Sequence, residues 1–167
     1  MAARTHRVII GAMGPAACDP QTEALARAVG RGIAERGAVL LCGGRSGVME
    51  AAAAGAHEAG GLTIGVLPGT SARETPPNAH IDLALFTGLG EARNWVNVCA
   101  CDALIAMGGG FGTLSEIALA LKAQKPIVLI GSWRLEIEGV VPNLPRASSA
   151  AEAVGLAFAS VGEHARR

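Results

Sequence analysis

Aromatic side chains are scarce in this 167-residue chain: they make up 3% of it, and tyrosine is absent. Proteins that bind single-stranded nucleic acid stack bases on such side chains, so the scarcity disfavours that role. The charge also disfavours nucleic-acid binding, because 14 basic and 14 acidic residues cancel and the basic residues form no block. No apolar run approaches the length that spans a bilayer. We therefore expect neither nucleic-acid nor membrane partners.

Lysine is nearly absent as well and occurs only at Lys122 and Lys125. A pyridoxal-phosphate enzyme needs an active-site lysine, and both of these lie at the far end of a predicted helix, so we expect no such cofactor. The four histidines show no metal-ligand spacing. The four cysteines are scattered except for one C-x-C, which favours buried thiols in a reducing compartment. We expect a cytoplasmic protein without a cofactor or a metal site.

Small and apolar residues are what the sequence has in quantity: half of it is hydrophobic, and 23 residues are glycine. Short apolar runs alternate with segments whose apolar residues recur at helical spacing. This pattern predicts strands at 7–11, 38–42, 63–67, 83–87, 103–107 and 126–131, and helices at 21–36, 48–59, 91–101, 114–123 and 149–162. The alternation is typical of an α/β protein with a Rossmann-like, doubly wound parallel sheet and helices on both faces. We expect residues 1–167 to form a single nucleotide-binding domain.

A glycine-rich turn joins the fifth predicted strand to the helix that follows it, and it contains Gly108, Gly109, Gly110, Gly112 and Thr113. The glycines permit positive φ angles and close approach of the backbone to a ligand, and Thr113 suits the N-cap of the helix. Unpaired N–H groups and the helix dipole then favour a bound phosphate. A tight connection without a ligand is the alternative.

Glu116 follows this 108–113 turn and falls in the first turn of the predicted helix. Because a carboxylate repels phosphate, Glu116 would face another part of a ligand, such as a sugar or a water. The alternative is that it merely complements the helix dipole. On the preceding predicted helix, Arg93 and Asn97 are one turn apart, so a cation and an amide share one face.

A second glycine turn follows the second predicted strand and consists of Gly43, Gly44, Arg45, Ser46 and Gly47. It has the same arrangement of strand, glycines and helix N-terminus. The Arg45 guanidinium could bind a phosphate through two hydrogen bonds, although an exposed turn arginine without a role is the alternative. Ser46 could cap the helix, contact the ligand, or do both.

Both turns resemble motifs of one known family. Residues 109–116, G-G-F-G-T-L-S-E, are similar to the P-G-G-x-G-T-x-x-E signature of the LONELY GUY family, with Gly108 where the proline normally stands. Residues 43–49, G-G-R-S-G-V-M, are similar to that family's G-G-x-x-G-[LV]-M motif, and Arg93 falls where the family keeps its catalytic arginine. The resemblance implies a Rossmann-like fold and reaches from the first strand to about residue 131.

Members of this family were long labelled lysine decarboxylases, but they hydrolyse the N-glycosidic bond of adenosine 5'-monophosphates that carry an N6 substituent. The resemblance thus implies release of a cytokinin base and ribose 5-phosphate, with Arg93 and Glu116 as the catalytic residues. It also implies that the two glycine turns hold the phosphate of a ligand. With Asn97, which shares a helix face with Arg93, the expected ligand-binding residues are Gly43, Gly44, Arg45, Ser46, Gly47, Asn97, Gly108, Gly109, Gly110, Gly112 and Thr113.

The sequence departs from the enzymes at three positions, where Asn94 replaces a lysine, Glu50 a glycine and Gly108 the proline. In these features it is similar to a sister branch that includes the molybdenum-cofactor carrier proteins, which bind a phosphorylated pterin without turning it over. A non-catalytic carrier of a phosphorylated heterocycle therefore stands as the alternative function. Both groups form assemblies, which implies a homo-oligomer, either a dimer or a tetramer.

Overall fold

The architecture is a single six-stranded parallel sheet with helices on both faces. A computed structural model describes residues 7–136 and 138–164. The strands are β1 Ile9–Met13, β2 Val39–Cys42, β3 Thr63–Leu67, β4 Leu83–Phe86, β5 Ala103–Met107 and β6 Ile127–Ile130. The helices are α1 Pro20–Glu35, α2 Val48–Glu58, α3 Arg93–Ala100, α4 Phe111–Lys122 and α5 Ala150–His164, and a 3-10 turn, Gly90–Ala92, precedes α3. The predicted fold class is confirmed.

The sheet separates two apolar layers, because its inner strands are buried on both faces. Helices α1, α2 and α5 pack on one face, where Ile10 and Leu40 belong to the larger cluster of buried side chains. Helices α3 and α4 cover the opposite face, where Leu41 and Leu104 belong to the second cluster. The continuous apolar runs of the sequence are thus explained by burial from both sides.

Strand order decides where a ligand can enter. The order is β4-β3-β2-β1-β5-β6 and every neighbouring pair is parallel, so β1 lies between β2 and β5. The chain leaves β1 toward β2 on one side and returns on the other side at β5. In sheets of this kind the crevice outside the carboxyl ends of the strands at such a switch point is the usual ligand site.

Several local predictions are corrected by the structure. Helix α4 begins at Phe111 with Gly110 as its N-cap, so Thr113 lies inside the first turn and is not the cap. Glu116 consequently falls in the second turn, too far from the helix start to serve mainly as a partner of the dipole. Of the glycines in the 108–113 turn, only Gly108 has a positive φ, at 66°.

The cysteines and the membrane prediction can also be compared with the structure. All four thiols are free, and Cys42 and Cys101 are buried as expected, but Cys18 is half-buried and Cys99 is exposed. The exposed thiol lies on the solvent side of α3, which the scattered spacing did not reveal. In the part of the chain that the structure describes, no helix is both long enough and apolar enough to cross a bilayer.

Candidate functional site

A cleft opens above the carboxyl ends of β1 and β5, at the switch point of the sheet. Its volume is about 220 Å³, smaller than the roughly 300–1,000 Å³ of sites that enclose a drug-sized ligand. The cleft can therefore enclose part of a nucleotide-sized ligand while the rest lies outside. Its walls come from the loop after β1, the 43–47 turn, the start of α3 and the start of α4.

The 108–113 turn brings the N-terminus of α4 to this cleft. Gly110, Gly112 and Thr113 line the wall, whereas Gly108 and Gly109 do not; the space beside them is nearest to Pro15 and Trp133 respectively. Because the N-cap is glycine, no side chain accepts hydrogen bonds from the first N–H groups of the helix. The hydroxyl of Thr113 is buried and has no partner among the described residues. Open N–H groups and a buried hydroxyl together suit a bound anion.

The 43–47 turn contributes less to the cleft than the first turn. Gly43 and Arg45 line the wall, and Arg45 is exposed at its edge. Ser46 does not cap α2, because its hydroxyl donates instead to the carbonyl of Ala16 at 2.8 Å. The first N–H of α2 donates to the carbonyl of Pro15, so this helix start is tied to the loop after β1. Gly44, Ser46 and Gly47 do not line the cleft.

Arg93 lies at the first residue of α3 and is almost completely buried beneath the cleft. One guanidinium nitrogen, Nη1, donates to the carbonyl of Val66 at 2.8 Å, and Nε has no partner among the described residues. Burial lowers the pKa of the guanidinium from its ordinary value, and the neighbouring Glu116 opposes this. Gly43 makes room for the group, because a Cβ there would lie 2.1 Å from Nη1.

Glu116 lines the same cleft and is only 6% exposed. Its Oε1 accepts a hydrogen bond of 2.8 Å from Nδ2 of Asn97. Burial raises the pKa of the carboxyl group to about 7, although the hydrogen bond from Asn97 and the charge of Arg93 act in the opposite direction. A carboxyl group that titrates near neutrality can accept or donate a proton under physiological conditions.

Asn97 was predicted as a ligand contact, but the structure does not bring it to the cleft wall. Its side chain is completely buried between α3 and α4, where it contacts Glu116, and its Oδ1 has no partner among the described residues. Asn94, one turn earlier, does line the cleft. It donates to the hydroxyl of Ser115 at 2.8 Å, and Ser115 donates to the carbonyl of Gly112 at 2.7 Å.

Sequence reasoning missed part of the cleft wall. The loop after β1 supplies Gly14, Pro15 and Ala16, and the wall also contains Met13, Met49, Glu91 and Asn94. The predicted fold could have indicated this loop, because the connection after the first strand of a doubly wound sheet lies at the switch point. Met13 and Met49 carried no such signal, since apolar residues in a strand and a helix predict only core positions.

The arrangement combines an anion site with a titratable carboxyl group. Buried polar atoms nearly always find a partner, yet Arg93 Nε, Asn97 Oδ1 and Thr113 Oγ1 have none within the described ranges. Arg93 and Thr113 line the cleft, so their unpaired atoms face the side on which a ligand would bind, whereas Asn97 lies outside the wall. No group of three His, Cys, Asp or Glu side chains that could hold a metal ion occurs in residues 7–136 and 138–164.

The comparison of the chain with known proteins agrees with the predicted resemblance. Residues 7–158 match the SLOG cluster4 family. A cytokinin riboside 5'-monophosphate phosphoribohydrolase of Mycobacterium tuberculosis is 34% identical over 116 residues, which are 65% of this chain and 62% of that enzyme. The chain thus spans somewhat less than two thirds of the enzyme's length.

Two solved structures align with almost all of the chain. The molybdenum cofactor binding protein of the phototrophic bacterium Rippkaea orientalis is 40% identical with a TM-score of 0.82, over 92% of this chain and 97% of that protein. The molybdenum cofactor carrier protein of Chlamydomonas reinhardtii is 37% identical with a TM-score of 0.80, over 94% of this chain and 99% of that protein. These similarities confirm that the chain lies close to the carrier branch.

Proposed function

The chain belongs to the SLOG cluster4 family, and from this premise we propose that it is a nucleoside 5'-monophosphate phosphoribohydrolase. It would cleave the N-glycosidic bond of AMP or of N6-substituted AMP, releasing the base and ribose 5-phosphate. The observation that carries this proposal is Glu116, a buried carboxyl group with a pKa of about 7 in the wall of a cleft that also offers an anion site.

The anion site at the start of α4 would hold the 5'-phosphate. The open N–H groups of the first helical turn and the hydroxyl of Thr113 are suitable donors, and Arg45 at the edge of the cleft supplies a positive charge. A phosphate bound there would place the ribose farther along the cleft, toward Glu116. The other predicted contacts, from Gly44, Ser46, Gly47, Gly108 and Gly109, would act by shaping the two turns.

Glu116 and Arg93 would carry the chemistry. Cleavage of an N-glycosidic bond passes through an oxocarbenium-like state, which a nearby carboxylate stabilises while it takes a proton from the attacking water. Asn97 occupies Oε1, and no hydrogen bond to Oε2 is found within the described ranges, which leaves Oε2 available to that water. The cationic Arg93 would neutralise charge on the phosphate or on the leaving base.

Incubation of the purified protein with AMP and with N6-isopentenyl-AMP tests this proposal. We expect release of free base, which chromatography detects. In Glu116→Gln the rate of base release should fall at least about a hundredfold. Glu35→Gln is the matched control, because Glu35 is exposed on α1 and does not line the cleft. Equal activity in Glu116→Gln and the wild type would overturn the role of Glu116.

A second function is favoured by the extent of the structural similarity. The molybdenum cofactor binding and carrier proteins align over nearly their whole length, whereas the phosphoribohydrolase aligns over 62% of its own. In addition, Asn94 stands where the enzymes usually have a lysine. On this alternative the cleft would hold a phosphorylated heterocycle, such as the molybdenum cofactor, as cargo and would not turn it over.

The same preparation separates the two functions. Release of base supports the hydrolase and contradicts the carrier. If neither nucleotide is turned over but both raise the melting temperature, the carrier is supported, and the molybdenum cofactor becomes the next ligand for measurement.

We also propose that the protein is a homo-oligomer, since exposed apolar side chains lie beside the cleft at Trp95 and Phe111.

A further inference from the structure

Asn97 is the buried polar residue whose position the proposed reaction does not yet explain. It is completely buried, it is not part of the cleft wall, and it lies between two helices of which each supplies one catalytic residue. Burial of a primary amide is unfavourable unless its polar atoms are bonded. Asn97 makes one such bond, from Nδ2 to Oε1 of Glu116, and its Oδ1 is unpaired within the described ranges.

We propose that Asn97 is a positioning residue for Glu116, which holds the carboxylate in one orientation and favours its ionised form. The bond joins α3 to α4, so it fixes the carboxyl group from the helix opposite its own. With Oε1 occupied by an obligate N–H donor, Oε2 remains for a ligand or a water. An effect of Asn97 on turnover rests on the proposed hydrolase function. Its effect on the orientation and ionisation of Glu116 does not depend on that function.

The other titratable groups around Glu116 cannot replace this function. Arg93 favours the ionised carboxylate, whereas Glu91 disfavours it. The buried thiols of Cys42 and Cys101 also lie within electrostatic range, and burial raises the pKa of each, so both are neutral near pH 7. Asn97 is thus the neutral side chain that donates a hydrogen bond to the carboxylate, and it does so at every pH at which the protein is folded.

The direct test is a titration of Glu116 by carbon-13 NMR in protein labelled at the glutamate carboxyl groups, with the resonance assigned by its absence in Glu116→Gln. Asn97→Leu keeps the volume of the side chain but removes the donor. We expect the pKa of Glu116 to rise by about one unit, because loss of a hydrogen bond to the carboxylate destabilises its ionised form by an energy that corresponds to a pKa change of about this size. An unchanged pKa in Asn97→Leu would overturn the proposal.

Asn94→Leu is the matched control for this titration. Asn94 is a buried asparagine on the same helix, but it donates to Ser115 and not to Glu116. We expect the pKa of Glu116 in this variant to stay within about 0.3 units of the wild-type value. If Asn97→Leu does not fold, Asn97→Ala replaces it, because it removes the same donor without adding a charge, and the pKa of Glu116 should rise in the same way.

Kinetics then separate this proposal from the hydrolase itself. If base release depends on ionised Glu116, the acid limb of kcat/KM lies near the pKa of Glu116, and Asn97→Leu moves it to higher pH. At about pH 6, below both pKa values, a shift of one unit lowers kcat/KM about tenfold relative to the wild type. Turnover with an unmoved acid limb contradicts the role of Asn97, whereas a shifted NMR titration without turnover supports it and contradicts the hydrolase.

Discussion

At the scale of single residues, the burial of Glu116 lowers the stability of the folded chain at neutral pH. The pKa of Glu116 is about 7 in the folded chain and 4.5 ordinarily, so the unfolded chain releases this proton first as the pH rises. Stability is therefore lost between about pH 4.5 and pH 7 and stays reduced above that range. The deficit amounts to about 3 kcal/mol at slightly alkaline pH.

Glu116→Gln removes this ionisation and retains an oxygen that accepts from Asn97. We expect the variant to be more stable than the wild type by up to about 3 kcal/mol at about pH 8, and by much less at about pH 5. Urea denaturation at the two pH values measures the difference. A stability difference that is equal at both values would mean that Glu116 is not the titrating group.

A second prediction at the scale of single residues concerns Gly43, whose lack of a side chain leaves space for Arg93. A Cβ at this position would lie 2.1 Å from Nη1, so Gly43→Ala displaces the guanidinium from the carbonyl of Val66. We expect a loss of about 1–3 kcal/mol in the free energy of unfolding, together with a fall of at least about tenfold in kcat/KM.

The control for Gly43→Ala is Gly162→Ala, at an exposed position in α5 where a Cβ meets no atom within 4 Å. Alanine is the better helix former, so this variant should gain up to about 1 kcal/mol and keep its activity. Similar losses of stability in the two variants would contradict the contact between Gly43 and Arg93.

At the scale of elements, the start of α4 depends on a contact from outside the helix. The indole N–H of Trp133, which follows β6, donates to the carbonyl of Gly110 at 3.2 Å, and its ring lies 6.0 Å from that of Phe111. Trp133 therefore holds the N-cap residue of α4 in place. The sequence carried no sign of this contact.

Trp133→Phe keeps an aromatic ring there but removes the donor. We expect ribose 5-phosphate to bind about three- to tenfold more weakly by calorimetry, because one hydrogen bond that orders the anion site is lost. Trp95→Phe is the matched control: Trp95 lies on α3 and makes no hydrogen bond through its side chain in residues 7–136 and 138–164. Equal affinities in both variants would show that Trp133 does not order the turn.

Helix α4 also shows why the start of a helix is harder to predict from sequence than the glycine motif that precedes it. Thr113 is a good capping residue by chemistry, but Gly110, held by Trp133, serves as the N-cap, so the helix starts three residues before the predicted position. Local preference for a cap is worth about 1 kcal/mol, which a tertiary contact overrides easily. Glu116 thereby moves into the second turn and away from the helix end.

At the scale of the whole molecule, exposed apolar surface lies beside the cleft. Phe111 is 84% exposed and forms a groove with Trp95 and Leu119 on the outer side of α3 and α4. Contiguous apolar surface of this kind is typical of contacts between subunits. We expect light scattering to give at least twice the mass of one chain, and Trp95→Glu to shift the protein toward the monomer.

Val140→Glu is the control for this experiment, because Val140 is also exposed and apolar but lies in the segment after β6, outside the groove. It should leave the mass unchanged. A monomeric wild type, or an equal effect of both substitutions, would contradict an interface at the groove.

Sequence by itself determined the fold class and the residue types that stand at the strand ends. Apolar runs alternate with helical periods except between the strands at 63–67 and 83–87, and this pattern permits few architectures other than a doubly wound parallel sheet. Short-range motifs keep their glycines, Arg93 and Glu116 at fixed spacing. Both are local properties, because they depend on residues that are close together in the chain.

Only the tertiary structure decided which of these residues meet. Strand order places β1 between β2 and β5, and this arrangement brings the loop after β1 into the cleft and opens the 108–113 turn while the 43–47 turn is tied to Pro15 and Ala16. Packing of α3 against α4 likewise buries Asn97 against Glu116 and raises the pKa of the carboxyl group. Burial and proton affinity depend on atoms that lie far apart in the chain, so no local pattern of residues contains them.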